Sequence, residues 1–331
     1  MSSTVKDVAK LAGVSTATVS RVINNDKRIS EKTKNKVMIC IKELDYRINN
    51  VARSLKTNKT YTIGFICPEI PNEFFMTVAK GIEDELGKYG YSVLFCTSNE
   101  DVNQEANKIR LLCEKCVDGI IIIPVSSESI HFNKFNEFNI PLVLVDRLVN
   151  NFSADTVLVD NINGCYEAME YLIKIKGQRS IGFIGGDIRL TSAKERFEGY
   201  KRALSDYSMM FDEKIVKFGD FHVQSGYSLM QELVNQAYVP NYVFISNYFM
   251  HVGATKYLIQ NMKNTKYSIS IASFDDMDVS SILGFCEVRV KQPMLEMGSR
   301  AVQLLLKRIN HEELSFPQII RLKTALIVND D

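Results

Sequence analysis

Short apolar runs alternate with amphipathic segments through most of this chain, and this alternation limits the folds it can adopt. Strands that are apolar along their whole length are buried on both faces, which is typical of parallel sheets covered by helices. Two successive series of such units predict an α/β body of two similar lobes with parallel sheets. The predicted strands are residues 63–67, 91–96, 119–124, 141–145, 181–184, 215–218, 242–245 and 270–274, and the predicted helices are residues 75–88, 104–113, 164–174, 193–204, 225–234 and 250–261.

The first 60 residues have a different pattern, that of a small α-helical domain. Thr4 and Asp7 fit a capping box, Gly13 allows a tight turn, and Ser15 caps a second helix. A third helix is predicted after Ser30, and it closes a three-helix core. The second helix keeps a polar face that this core does not bury, and a helix-turn-helix with such a face suits the DNA major groove. The alternative is a solvated helical hairpin.

The charge of this segment supports a nucleic-acid partner. Residues 1–60 carry 13 Lys and Arg against 5 Asp and Glu, a net charge of +8, and the remaining residues carry 27 against 34, a net charge of −7. A basic head can displace counterions from phosphates, which supplies the part of DNA affinity that does not depend on base sequence. The net charge of the whole chain, +1, hides this division.

Length and composition set the remaining limits. With 331 residues, 46% of them hydrophobic, the chain is long enough for a head and a two-lobed body. It has no leading hydrophobic segment and no apolar run near the ~18 residues that a membrane span requires, so a cytoplasmic protein is expected. The seven Cys predict reduced thiols. Cys113 and Cys116 have no second pair and the four His lack metal-binding spacing, so we expect no metal and no cofactor.

Polar and aromatic side chains follow most of the predicted strands of the body. Ligands of parallel α/β sheets bind beyond the carboxyl ends of the strands, where these side chains should meet. Aromatic rings cover the C–H faces of a sugar, and planar polar groups satisfy its hydroxyls. Any single member could instead cap a helix or join a surface ion pair, so the prediction depends on the whole set. The set is Asn72, Phe74, Phe75, Asp146, Arg147, Arg196, Phe221, Asn247, Asp275 and Gln292.

The chain resembles the lac-repressor (LacI/GalR) family over nearly its whole length. Residues 7–9, 14–15 and 18–22 match the helix-turn-helix pattern of the family, and later landmarks are matched by residues 30–33, 43–46, 51–55, 117–121, 160–161 and 273–276. So many matches in order make the resemblance specific. It implies a helix-turn-helix DNA-binding domain at 1–48, a hinge helix and linker at 49–60, and a two-lobed effector-binding and dimerisation domain, like periplasmic binding proteins, at 61–331.

The resemblance implies roles in binding double-stranded operator DNA. Residues 49–56 look like the hinge helix that orders on the operator and inserts Leu55 into the minor groove, with a plain linker as the alternative. Of the implied DNA contacts, Arg21 is by its own chemistry the residue best suited to recognise a base, because its guanidinium can donate two hydrogen bonds to the O6 and N7 acceptors of guanine. The implied contacts are base edges for Thr16 and Ala17, a guanine for Arg21, and phosphates for Ser15, Ser20 and Asn24.

The ten body residues also resemble the binding set of ribose-type periplasmic sugar-binding proteins. This implies a monosaccharide effector, with a ribose-like pentose as the first candidate, and analogy with the repressors adds Asp160 and Ser192 to the pocket. Tyr248 stands where the family usually has Asp, so it is expected to reshape the pocket. Ile48 replaces the Pro that the family has before the hinge. The absence of a leucine heptad after Phe316 predicts a homodimer.

Three classes of function remain open from the sequence. The leading one is a transcription regulator whose operator affinity is controlled by a small sugar, and a repressor is the favoured kind of regulator. The second is a regulator of the same architecture that responds to a sugar phosphate or a non-sugar metabolite. The third, an enzyme fused to a DNA-binding head, lacks a recognisable nucleophile or phosphate-loop motif, so no catalytic residue is expected.

Overall fold

The computed structural model describes residues 3–23, 26, 28–46, 59–133, 140–261, 269–276, 286–312 and 315–328. The chain divides into two compact units, one up to Thr60 and one from Tyr61 onward. We term the first unit the head and the second the body, and each is described by itself.

The head is a three-helix domain formed by α1 (Val5–Ala12), α2 (Thr16–Ile23) and α3 (Glu31–Glu43). The predicted capping box is confirmed, because Thr4 and Asp7 each accept a hydrogen bond from the backbone N–H of the other. Gly13 ends α1 with a φ of 58°, in the left-handed region that favours glycine. The buried core of the head consists of Val8, Ala9, Ala12, Val19, Val22, Val37 and Cys40.

The body alternates strands and helices as the sequence predicts. Most observed ends fall within three residues of the predicted ones. In chain order its elements are β1 (Thr62–Cys67), α4 (Glu73–Lys88), β2 (Ser92–Thr97), α5 (Val102–Glu114), β3 (Gly119–Ile122), α6 (Ile130–Asn133), β4 (Leu142–Val145), β5 (Asp155–Val159), α7 (Asn161–Lys174), β6 (Ile181–Gly185), α8 (Thr191–Asp206), β7 (Val216–Phe218), α9 (Val223–Val234), β8 (Tyr242–Ile245), α10 (Tyr248–Asn261), β9 (Ser270–Phe274), β10 (Cys286–Lys291), α11 (Met294–Ile309), β11 (Ile319–Leu322) and β12 (Ala325–Val328).

The strands of the body form two six-stranded sheets with the same topology. The strand order is β11-β5-β4-β3-β1-β2 in the first sheet and β12-β10-β9-β8-β6-β7 in the second. The strands pair in parallel, except that β12 runs antiparallel to β10. The predicted body of two similar lobes with parallel sheets is therefore confirmed, and the carboxyl ends of the strands define one edge of each sheet.

The chain passes from one lobe to the other three times. It crosses after β5, after β10, and between β11 and β12, so that α11 and β11 return to the first lobe. Met297, Val302 and Leu305 of α11 lie in the same buried cluster as Phe65 of β1. Each lobe is consequently built from segments that lie far apart in the sequence.

Several elements were not predicted from the sequence. They are β5, α6, α11, β11 and β12, and β10 was anticipated only through the residue that follows it. Both strands near the end of the chain are short and only partly buried, which leaves a weak apolar signal. Within the described residues, the structure contains no helix with the length and hydropathy of a membrane span.

Two glycines determine how closely α9 and α10 approach. A Cβ added at Gly253 would collide with the carbonyl oxygen of Val223, and one at Gly226 would collide with Met250. We expect Gly253→Ala to lower the free energy of unfolding by about 1–3 kcal/mol, because the two helices must separate. Urea unfolding of the full chain measures this change.

A matched control for this prediction is available on α4. A Cβ added at Gly87 would meet nothing within 4 Å. Gly87→Ala should therefore raise the free energy of unfolding by about 0.5–1 kcal/mol through helix propensity alone. Equal stabilities for the parent and Gly253→Ala would show that close packing of α9 on α10 is not required.

Candidate functional site

The second helix of the head presents a polar surface. Its cap is Ser15, whose hydroxyl accepts a hydrogen bond from the backbone N–H of Thr18 at 3.1 Å. Asn24 and Leu55, with the proposed hinge at residues 49–56, lie outside the described residues. The remaining residues predicted to touch DNA are exposed or half-buried on α2, where they bury nothing in the core: Thr16, Ala17, Ser20 and Arg21.

In the body, one pocket lies beyond the carboxyl ends of strands from both sheets. The structure brings together every residue that the sequence analysis placed in a binding pocket, with the exception of Asp160. The predicted residues that line it are Asn72, Phe74, Phe75, Asp146, Arg147, Ser192, Arg196, Phe221, Asn247, Tyr248, Asp275 and Gln292.

Asp160 has a structural position instead, and its assignment to the pocket is corrected. It is the N-cap of α7 and accepts a hydrogen bond from the backbone N–H of Asn163 at 3.2 Å. Its other carboxylate oxygen accepts from the side-chain amide of Asn163 at 2.6 Å. The carboxylate thus caps the first turn of a helix, and Asp160 is not among the residues that line the pocket.

The pocket contains buried polar atoms with no hydrogen-bond partner. They are Oδ1 of Asp146, Nε of Arg147 and Oε1 of Gln292. Arg147 Nε lies 3.3 Å from Asp146 Oδ2, but without the alignment of a hydrogen bond. Burial raises the pKa of Asp146, although Arg147 and Arg196 oppose the rise. Because unpaired buried polar atoms are costly, these three are suited to a ligand that pairs with them.

Arg196 is fixed at the centre of this pocket. Its Nε donates to Oδ1 of Asn161 at 2.8 Å, its Nη1 donates to the carbonyl of Ser246 at 2.7 Å, and its guanidinium lies 3.8 Å from the ring centre of Phe274. Burial lowers the pKa of Arg196, while Asp275 and Asp146 oppose the fall. The guanidinium is therefore held in one orientation by contacts on two edges and one face.

A chain of polar contacts leads from Arg196 to the place where the chain first crosses between the lobes. Asn161 accepts from Arg196 and donates to Oε2 of Glu195 at 3.1 Å. Glu195 in turn forms an ion pair with Arg321 of β11 at 2.6 Å. These contacts join Arg196 of the second lobe to the edge strand of the first lobe.

The remaining polar residues hold the loops of the pocket in place. Asp275 accepts from the side-chain amide of Gln292 and from the backbone N–H of Tyr248. The side chain of Asn247 donates to the carbonyl of Phe221 at 3.0 Å and accepts from the backbone N–H of Met250 at 3.1 Å. This network fixes the position of Phe221, whose φ of 72° is rare for a residue with a side chain.

Aromatic rings supply the apolar walls. Phe74 and Phe75, at the start of α4, pack edge to face with ring centres 5.5 Å apart. Phe221 enters from the second lobe, and Tyr248 contacts the core of the first lobe from the start of α10. A pocket with rings on its walls and planar polar groups between them matches the chemistry of a hydroxylated ring.

Four lining residues were missed by the sequence analysis: Glu69, Glu100, His222 and Phe249. His222 and Phe249 directly follow Phe221 and Tyr248, and this adjacency was the available signal, whereas Glu69 and Glu100 lie in loops of the first lobe with no predicted residue next to them. The potential metal-ligand atoms of Glu69, Glu100 and His222 lie within 4.8 Å of one another. Since His222 Nε2 is 2.8 Å from Glu100 Oε2, charge pairing explains their approach, and we assign no metal to them.

Comparison with protein families gives two matches that divide the chain between them. Residues 4–49 match the family described as "Bacterial regulatory proteins, lacI family". Residues 60–320 match the family described as "Periplasmic binding proteins and sugar binding domain of LacI family".

Individual relatives match along nearly the whole chain. The HTH-type transcriptional regulator RegA of Clostridium saccharobutylicum is 35% identical over 321 residues, which are 97% of this chain and 96% of RegA. The HTH-type transcriptional repressor PurR of Haemophilus influenzae (strain PittGG) is 32% identical over 322 residues, covering 96% and 95% of the two chains. Among solved structures, the complex of the transcriptional regulator CelR with cellobiose has a TM-score of 0.73 and 28% identity, with 98% of each chain covered.

Proposed function

Since this chain belongs to the LacI family, and is a DNA-binding transcriptional regulator with a ligand-binding domain, we propose that a small neutral sugar controls its affinity for operator DNA. The ligand occupies the pocket between the lobes, and a ribose-like monosaccharide is the first candidate. The head reads the operator through Arg21 and its neighbours on α2. Two copies of the chain bind one palindrome, with one half-site for each head.

The unpaired buried atoms of the pocket carry this proposal. Asp146 Oδ1 and Gln292 Oε1 need donors, and Arg147 Nε needs an acceptor. A hydroxyl both donates and accepts, so a ring with several hydroxyls can satisfy all three atoms. The rings of Phe75 and Phe221 are available for its C–H faces.

The charges around the pocket favour a neutral ligand over the phosphorylated alternative. Two arginines, Arg147 and Arg196, already face two carboxylates, Asp146 and Asp275. The phosphate group of a sugar phosphate adds acceptor oxygens and negative charge, so that group cannot supply donors to Asp146 Oδ1 and Gln292 Oε1 and brings a charge that the pocket must balance. A neutral sugar leaves the balance of charge unchanged.

The comparisons give the sugar proposal independent support. The family matched by the body is described as a sugar-binding domain, and CelR was solved with cellobiose, which is a sugar. Tyr248 stands in the position of the usual family Asp, so at that point the pocket has an aromatic ring in place of a carboxylate. RegA and PurR are named as regulators, which favours regulation over the enzymatic alternative.

A ligand screen on the full chain tests the proposal. Thermal unfolding with neutral pentoses, neutral hexoses and cellobiose should show stabilisation by at least one of them, about 2.7 kcal/mol when the ligand is at 100 times its Kd. The matched comparison is D-ribose against D-ribose 5-phosphate, and calorimetry then gives the affinity. Stabilisation by the phosphate or by a nitrogenous metabolite, with none by any neutral sugar, would contradict the proposal.

A further inference from the structure

An ion pair crosses the mouth of the pocket and joins the two lobes. His222, just before α9 in the second lobe, places Nε2 2.8 Å from Oε2 of Glu100, which follows β2 in the first lobe. Both residues line the pocket, and each side chain retains 38% of its accessible surface. Neither residue belongs to the set that the strand ends predicted, and the pocket floor does not depend on them for its hydrogen bonds.

The loop that carries Glu100 holds it in an unusual backbone conformation. Asn99 and Glu100 both have positive φ, 50° and 56°, in a region that costs free energy for residues with a Cβ. The backbone N–H of Glu100 donates to the carbonyl of Pro68 at 3.3 Å, and Thr97 also donates to Pro68. These bonds tie the two loops of the first lobe together and direct Glu100 towards His222.

Three carboxylates surround His222. Glu100 and Glu69 face it from the first lobe, and Asp220 lies in its own loop and accepts a hydrogen bond from its backbone N–H. Burial lowers the pKa of His222, but the three carboxylates more than offset this and the net pKa is above 6.5. Burial and Glu100 together raise the pKa of Glu69, which His222 opposes. The imidazolium form thus has its partners in place when the lobes are together.

We propose that Glu100 and His222 form a latch that holds the two lobes closed over a ligand in the pocket and so determines how slowly the ligand leaves. The identity of that ligand rests on the proposed function, whereas the ion pair is a feature of the structure. The side chains of the pair are partly exposed, whereas the three unpaired polar atoms of the pocket are buried. The pair therefore acts on escape of the ligand rather than on recognition of its hydroxyls.

The latch makes ligand retention depend on pH. The pKa of His222 is raised in the closed form, so protonation of His222 favours closure. This contribution to closure is complete below about pH 6.5, the ordinary pKa of histidine. It is lost as the pH rises through the higher pKa of the closed form. For a half-exposed pair, we expect the affinity for D-ribose to fall about two- to five-fold between pH 6 and pH 8.5, mainly through faster dissociation.

Two measurements on the full chain test the latch. NMR titration of the four histidine rings, with His222 assigned through His222→Gln, should give a pKa above 6.5 in the parent and a lower one in Glu100→Gln. Stopped-flow dissociation of D-ribose should be faster in Glu100→Gln than in the parent at pH 6, and the difference should be smaller at pH 8.5. Glu198→Gln is the matched control, because Glu198 pairs with Lys201 on the surface of a single lobe and should leave both measurements unchanged.

The outcomes separate the latch from the proposed function. The same His222 pKa in the parent and in Glu100→Gln would overturn the latch, whatever the ligand is. Ribose dissociation at the same rate in both proteins at pH 6 would also overturn it. Loss of the His222 titration on addition of Zn²⁺, with its return on addition of EDTA, would show a metal site in place of the latch. Failure of every neutral sugar to bind would contradict the proposed function and leave the NMR result to decide the latch.

Discussion

Arg196→Ala is expected to weaken binding of the effector sugar ten-fold or more. The guanidinium is buried and held by Asn161 and Ser246, so that its remaining nitrogen, Nη2, can meet the ligand in a fixed geometry. Truncation removes at least one hydrogen bond to a charged group, which is worth about 1.5–3 kcal/mol, and it leaves Asp146 and Asp275 with less compensation. Calorimetry with the best sugar from the screen measures the loss.

The control for this experiment lies on the same helix. Arg202 of α8 is half exposed, at 3.9 Å from Asp206, and Arg202→Ala should change the affinity by less than two-fold. Because Arg196 also holds Asn161, thermal unfolding without ligand must be measured in parallel, so that the affinity refers to folded protein. Arg196→Lys, which keeps the charge but not the fork, should recover only part of the affinity. Unchanged affinity in Arg196→Ala would remove this residue from the site.

Arg21→Ala is expected to weaken operator binding by about 1–3 kcal/mol, or roughly five- to 150-fold, and to relax the preference for one guanine in each half-site. The side chain is exposed on α2 and does not belong to the buried core of the head among the described residues. The operator is first selected from random DNA with the parent protein. Quantitative footprinting at fixed salt on this palindrome, and on versions with the guanine replaced, then measures both effects.

Lys42→Ala is the matched control for loss of one positive charge from the head. Lys42 is exposed in the last turn of α3 and is not one of the residues predicted to read bases. Its removal should weaken binding slightly and to a similar extent on every DNA sequence, because only the general attraction to phosphate is reduced. If Arg21→Ala keeps the base preference of the parent, the assignment of Arg21 to base recognition is wrong.

The parts of the fold that the sequence predicted are those with a strong local signal. Residues 119–122 form β3, which is wholly buried and lies between the strands β4 and β1. Because both faces of β3 are covered, its sequence is a continuous apolar run. By contrast, β11 and β12 are edge strands with partly exposed faces, and their pairing depends on strands more than 30 residues away. The strongly amphipathic α11 was overlooked because it follows a strand of the other lobe and so interrupts the simple alternation.

The candidate pocket was predictable as far as topology determines it. Asp146 and Asp275 each follow a parallel strand, and the carboxyl ends of such strands meet at one edge. Glu100 and His222 lie in the loops after β2 and β7, and nothing in the sequence shows that these two loops meet. Asp160 was misplaced because a carboxylate after a strand can equally cap the following helix, and Asn163 shows that it does.

The last two strands determine when the two lobes can be completed during synthesis. Leu322 ends β11 in one sheet, and Ala325 begins β12 in the other, so one short stretch supplies an edge strand to both. During synthesis, the first sheet cannot acquire its edge strand until residue 322 has left the ribosome, and the second cannot until residue 328 has done so. Both lobes therefore stay incomplete until the segment at 319–328 has been made, and neither can be cut out as a continuous fragment with its native edges.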